Sequence, residues 1–152
     1  RRQRQMCIRD RCTQNRERIL SEIVGRGLDP SVRAEVTLTP YGSIAEHDLL
    51  EIPNHFSDVE ILNYTIMPDH LHILLALGCR EVAAEGSRPL PTVSTIIGQY
   101  KSGVSRKCKR AIWQKYYHDH IIRNQPDFEE TWKYIDNNPL QWVLDGKAES
   151  NL

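Results

Sequence analysis

The stretch VEILNYTIMPDHLHILLAL, residues 59–77, limits what this chain can fold into more than any other. Val59 to Met67 and Leu71 to Leu77 are strand-length runs rich in β-branched and large apolar residues, and the PDH between them has room only for a tight turn. The pattern predicts an antiparallel hairpin. Two histidines sit one residue apart inside it. Side chains alternate along a strand, so His70 and His72 share one face and Leu71 points to the other. An imidazole is costly to bury without a partner, so two on one face need solvent, hydrogen bonds or a metal ion.

Other elements are predicted around this hairpin. Val36 and Leu38 alternate within Arg33–Thr39, which suggests a strand. Thr39 and Pro40 suit the N-cap and first position of a helix running to about Ile52, ended by Pro53-Asn54. Residues 78–91, GCREVAAEGSRPLP, have linker composition. Val93, Ile96, Ile97, Tyr100 and Val104 recur at helical spacing, so Thr92–Arg106 is predicted as an amphipathic helix. Residues 112–122, IWQKYYHDHII, read as a strand. Asn124-Gln-Pro126 opens a last helix with Asp127, Glu129 and Glu130 near its positive end, and Pro139 is expected to stop it at Asn138. Strand, helix, hairpin, helix, strand, helix is the order of an α+β fold of ferredoxin-like type, an antiparallel sheet with helices packed on it.

With 152 residues the chain is long enough for one domain with a real core, expected over residues 12–145 with a short tail at 146–152. No apolar run approaches the roughly 20 residues of a membrane span, so a cytoplasmic protein with no membrane partner is expected. The four cysteines (Cys7, Cys12, Cys79 and Cys108) form no CxxC pair and are expected to be reduced thiols. Lysines and arginines balance aspartates and glutamates over the whole chain, but Gln99–Arg123 carries seven basic residues against the single acid Asp119. Such a stretch suits a phosphate-bearing partner, although a solvated helix face would look the same.

The last helix, DFEETWKYIDNNP, puts Phe128, Trp132 and Ile135 on one buried face. Tyr134 and Asn138 are four residues apart, so a phenol and a carboxamide project from another face a turn apart. That pairing suits a capping contact, and it equally suits a nucleophile beside a metal ligand.

Taken together, YTIMPDHLHILL, IWQKYYHDHIIRN and YIDNNPLQW resemble the HUH single-strand DNA transposases of the insertion-sequence 200/605 type, and most of all their REP-associated tyrosine relatives. The three blocks occur in the family's order between about Ile44 and Trp142. An HxH alone is common by chance; the combination with a downstream YIxxNP is specific. The resemblance implies that His70, His72 and Asn138 hold a Mg²⁺ or Mn²⁺ ion and that Tyr134 is the nucleophile. It implies cleavage and rejoining of single-stranded DNA near hairpin-forming palindromic repeats, through a 5′-phosphotyrosine, by a monomer or homodimer. Lys101, Lys107 and Arg123 are expected phosphate contacts. Trp113, Trp132 and Trp142 are expected in the core, and the second HxH, His118 and His120, in a structural or DNA-proximal role. Two other functions compete: an inactive ferredoxin-like nucleic-acid-binding module, and another HUH nuclease such as a replication initiator or relaxase. The short chain and the YIDNNP block argue against the latter.

One segment departs from the family. Thr13-Gln14-Asn15-Arg16 matches its TQNR-like turn, but the preceding RRQRQMCIRDR is too charged to suggest a strand. Residues 1–11 are therefore expected to be disordered or foreign to the native sequence.

Overall fold

The computed structural model describes residues 4–26, 33–78 and 93–150. Its centre is a four-stranded antiparallel sheet. In chain order the strands and helices are β1 (Arg4–Thr13), β2 (Ser21–Arg26), β3 (Arg33–Leu38), α1 (Pro40–His55), β4 (Val59–Ile66), β5 (His70–Gly78), α2 (Val93–Cys108), β6 (Trp113–Ile122), α3 (Gln125–Leu144) and β7 (Glu149–Ser150). The central sheet runs β4-β5-β1-β6, and a small second sheet runs β3-β2-β7. Without β2 and β3, the order β1-α1-β4-β5-α2-β6 is the split βαβ arrangement of the ferredoxin-like fold, as expected.

The first strand of that arrangement is not the expected one. Arg33–Leu38 is a strand, but it pairs with β2 outside the central sheet and is mostly exposed. The first core strand is β1, in the segment expected to form none, and it lies inside the sheet between β5 and β6. Its charges are matched across the ladder rather than along the chain. Arg9 and Arg11 both bond the carboxylate of Asp119 on β6, Arg11 at 3.1 Å. Cys7 and Ile8 supply the apolar packing. Buried charge is tolerated when it is paired in this way.

The hairpin forms as predicted, with Met67 N–H donating to the His70 carbonyl at 2.8 Å across the turn. Alternate residues of its second strand face opposite layers. Leu71, Ile73 and Leu75 pack with Ala45, Leu49 and Ile52 of α1 and Ile96, Ile97 and Tyr100 of α2. Leu74, with Ile8 and Ile122, packs instead under Ile135, Phe128 and Trp132 of α3. The sheet is thus covered on both faces, and His70 and His72 belong by strand alternation to the α3 face.

Both proline-based helix ends need correction. The α1 helix begins as predicted, Thr39 Oγ1 accepting from Gly42 N at 3.1 Å, but it runs through Pro53 to His55. Pro53 lies in the last turns, where only one ladder bond is lost and Phe56 N still reaches the Ile52 carbonyl at 2.9 Å. Helix α3 likewise continues through Pro139 to Leu144. That extension buries Trp142 against Ile23 and Met67, which offsets the bond lost at the proline. It also needs Gly25, because a Cβ there would lie 2.6 Å from a Val143 methyl. The linker expected at residues 78–91 falls, beyond Gly78 of β5, outside the described residues. Cys7, Cys12 and Cys108 are free thiols, and among the described residues no helix is long and apolar enough to cross a membrane.

Candidate active site

The turn before β5 is tied to the last residue of β1 and to the chain that follows it. Thr13 donates to the Asp69 carbonyl from its backbone N at 2.9 Å and from its hydroxyl at 3.1 Å. Leu20 N donates to the Pro68 carbonyl at 3.0 Å, and the Ser21 hydroxyl to the Ile66 carbonyl at 2.9 Å. These bonds fix where β5 starts, and so fix the two imidazoles. The ring centroids of His70 and His72 are 4.7 Å apart at 73°.

Each ring is held from behind by a carboxylate at Nδ1. For His70 it is the preceding residue, Asp69, with Oδ1 at 2.5 Å. For His72 it is Asp10, its register partner on β1. Burial pushes the Asp69 carboxyl up, but its hydrogen bond with His70 and the nearby Arg16, Nε at 3.2 Å, outweigh this and hold it below the usual range. His72 is 4 % exposed, and its Nε2 is buried with no hydrogen-bond partner among the described residues. An orphaned nitrogen of this kind is rare in a folded protein and needs a reason.

Helix α3 closes the site from above. Tyr134 sits edge-on to His72, ring centroids 5.2 Å apart at 68°, and stays 53 % exposed. Asn138 is half-buried one turn on, its amide nitrogen 3.5 Å from the Tyr134 carbonyl, at the limit of a hydrogen bond. His70, His72, Tyr134 and Asn138 together line a cleft of about 320 Å³, with Asp10 behind the rings and Arg16 and Lys147 adding positive charge. Buried Trp142 forms one wall, its ring 6.3 Å from His70 and flanked by the Arg18 guanidinium at 4.9 Å and the Lys147 ammonium at 5.4 Å. Trp113 and Trp132 are part-buried at the edges of the other two apolar clusters.

The four residues expected to form a metal–nucleophile site therefore meet in one cleft. Among the described residues no three His, Cys, Asp or Glu side chains are grouped to hold a metal ion. A metal here would rest on two imidazoles and an amide oxygen, completed by oxygens from phosphate or water. That donor set fits Mn²⁺, and fits Mg²⁺ when it keeps several water ligands.

The expected phosphate contacts are not part of this cleft. Lys107 is ion-paired with Asp48 at 2.5 Å in the groove between α1 and α2. Lys101 lines a separate hollow with Lys115 and Trp113, and burial together with Arg11 lowers its ammonium pKa. Arg123 is exposed just beyond the last residue of β6, the end of that strand away from the imidazoles. Sequence reasoning missed Asp10, Asp69, Arg16 and Lys147. For Asp69 the signal was its place directly before His70; for Asp10 there was none without the register.

Three comparisons bear on this geometry. The family model described as Transposase IS200 like matches residues 45–138. An uncharacterized protein of Haemophilus influenzae is 26 % identical over 152 residues, covering 88 % of this chain and 79 % of that protein. The solved structure of a REP-associated tyrosine transposase bound to a REP hairpin superposes with a TM-score of 0.63 at 19 % identity, over 90 % of this chain and 67 % of that one.

Proposed function

The chain belongs to the IS200-like transposase family, a family of DNA-processing enzymes, and we propose that it cleaves and rejoins single-stranded DNA through Tyr134 with the help of a divalent metal ion. The observation that carries this reading is the exposed Tyr134 phenol edge-on to His72 in a cleft shared with His70 and Asn138. A buried, hydrogen-bonded tyrosine suits a structural role; an exposed one against an imidazole that has an unpartnered nitrogen supports a chemical one.

The orphaned Nε2 of His72, His70 beside it and the Asn138 amide would hold Mg²⁺ or Mn²⁺. When bound, the ion supplies positive charge to the scissile phosphate and favours its orientation for in-line attack. Arg16 and Lys147 draw the DNA backbone into the cleft. The Tyr134 oxygen forms a bond to phosphorus, the bond from phosphorus to the 3′ oxygen breaks, and the phenolic proton ends on the released 3′-OH. The product is a 5′-phosphotyrosine. One phosphodiester is exchanged for another, so a later 3′-OH can reverse the step and join strands without an energy source. Helix α3 holds the phenol over the imidazoles, which replaces a bimolecular encounter with a positioned one.

A hairpin next to the cleavage site is part of the proposal, in keeping with the structural neighbour whose DNA is a REP hairpin. Lys101, Lys107 and Arg123 are proposed as phosphate contacts away from the cleft. The test is incubation with hairpin-flanked single-stranded DNA and Mn²⁺, followed by a denaturing gel. A covalent protein–DNA adduct is expected, and none with Tyr134→Phe. An adduct that survives Tyr134→Phe defeats the assignment. Binding without any adduct in the parent protein marks an inactive nucleic-acid-binding module instead.

A further inference from the structure

We infer that Asp10 is a positioning residue that sets the tautomer and orientation of His72, which makes β1 part of the active site rather than only of the scaffold. The inference rests on the metal-site reading above. Asp10 lies on the most charged strand of the protein, in the register position facing His72, and its carboxylate bonds the His72 Nδ1. An ionised carboxylate can only accept hydrogen bonds. Against it, Nδ1 must carry the ring proton, and the lone pair of a neutral His72 is then on Nε2. That is the buried nitrogen left without a partner among the described residues. An Asp at this position therefore explains two facts together: an acidic side chain inside a sheet, and an imidazole nitrogen with nothing to bond.

The two imidazoles are positioned differently. His70 takes its carboxylate from the adjacent residue of the turn, and Asp69 divides its oxygens between His70 and Arg16. His72 depends on a residue 62 positions away, across the sheet. A carboxylate behind a ligating imidazole fixes the ring and raises its basicity, and losing one typically lowers metal affinity by about 10–100-fold.

The test uses the metal-free full chain, its Asp10→Ala and Asp10→Asn variants, and Mn²⁺ alone. Affinity is read by calorimetry or by the electron paramagnetic resonance signal of free Mn²⁺. The His72 tautomer is read by imidazole ¹⁵N resonances in the absence of metal. The parent is expected to show the Nδ1–H form. Asp10→Ala is expected to mix the two forms and weaken Mn²⁺ binding by about 10–100-fold. Asp10→Asn keeps the shape, so it decides the matter if Asp10→Ala does not fold, and a smaller loss is expected because an amide can present either its oxygen or its nitrogen to the ring. If His72→Ala abolishes Mn²⁺ binding while both Asp10 variants keep the parent affinity and tautomer, the role of Asp10 is overturned and the metal site stands. If the parent binds no Mn²⁺, or binds it equally after His72→Ala, the metal site and the role of Asp10 are overturned together.

Discussion

Along β5, Leu71, Ile73 and Leu75 turn toward α1 and α2, while His70, His72 and Leu74 turn toward α3. The two faces come from alternate residues of the same strand, yet they are finished differently. The α1/α2 face is closed at the sheet: a groove runs between the two helices, but the tyrosine beneath it, Tyr100, is 5 % exposed and donates to the Ala45 carbonyl at 2.8 Å. The α3 face is left open at one end, where Tyr134 is half exposed and has His72 for its neighbour. A strand with period two can therefore hold a closed core on one side and an open, polar cleft on the other. The cleft inherits its precision from the core behind it.

The largest expected effect separates the two tyrosines. Tyr134→Phe should remove covalent adduct formation altogether, while Tyr100→Phe, on the closed face, should leave the adduct yield at the parent level under neutral conditions. Quantified gel bands for both variants check this. A loss of adduct in Tyr100→Phe without loss of folding would break the division between the faces.

Next in size is the contrast between the two HxH pairs. His72→Ala deletes a proposed ligand and should weaken Mn²⁺ binding by more than the roughly 10–100-fold of a lost supporting carboxylate. His120 sits on the edge strand β6, half exposed, with its Nε2 already bonded to Asp127 at 2.8 Å. His120→Ala should leave Mn²⁺ affinity unchanged and act only on the β6–α3 junction. Calorimetric titration of both variants decides it, and equal losses would mean that the second pair also reaches the metal.

Smaller again is the effect of shaving the closed face. Ile73 is fully buried between His72 and Leu74 in sequence but faces α1 and α2. Ile73→Val should cost about 0.5–1.5 kcal/mol of stability. It should leave Mn²⁺ affinity as it was, because the methyl group is removed on the side away from the imidazoles. Urea unfolding and the same titration would show whether the faces are energetically separate.

How much of this was legible follows the range of the interactions. The hairpin and the helical periods of α2 and α3 are local, so composition and spacing found them. The cleft was half legible, because HxH and the four-residue step from Tyr134 to Asn138 are each local signatures. The strand β1 was illegible for a physical reason: its charges are cancelled by groups far along the chain. Arg9 meets Asp119 110 positions away, Arg11 meets the same carboxylate 108 away, and Asp10 meets His72 62 away. A window of ten residues sees only uncompensated charge there. Proline misled in the opposite direction: Pro53 falls in the last turns of α1, where little of the ladder is lost, and at Pro139 the local rule omits what burial of Trp142 contributes once α3 continues.

An effect of similar size at neutral pH carries a pH signature as well. Burial, reinforced by Asp48 and Cys108, raises the Tyr100 phenol well above its ordinary value of 10.0, so the folded protein favours the protonated form more than the unfolded chain does. With the folded value above the unfolded one, the stabilisation is complete below about pH 10. It is lost as pH rises beyond that, by up to about 1.4 kcal/mol per pH unit for this one group. At neutral pH, Tyr100→Phe should cost only the bond to Ala45, about 0.5–1.5 kcal/mol. The difference should shrink and then reverse as the pH climbs past 10, because the parent must keep a buried phenol neutral and the variant has none. Cys7 and Tyr64, also raised by burial, remain in both proteins and cancel in the comparison; Cys108 remains too, but its effect on Tyr100 goes with the phenol. Denaturant unfolding of the pair at pH 8, 9.5 and 10.5 gives the two curves. If they stay parallel across that range, Tyr100 is reached by solvent, and the α1/α2 face is not the closed one.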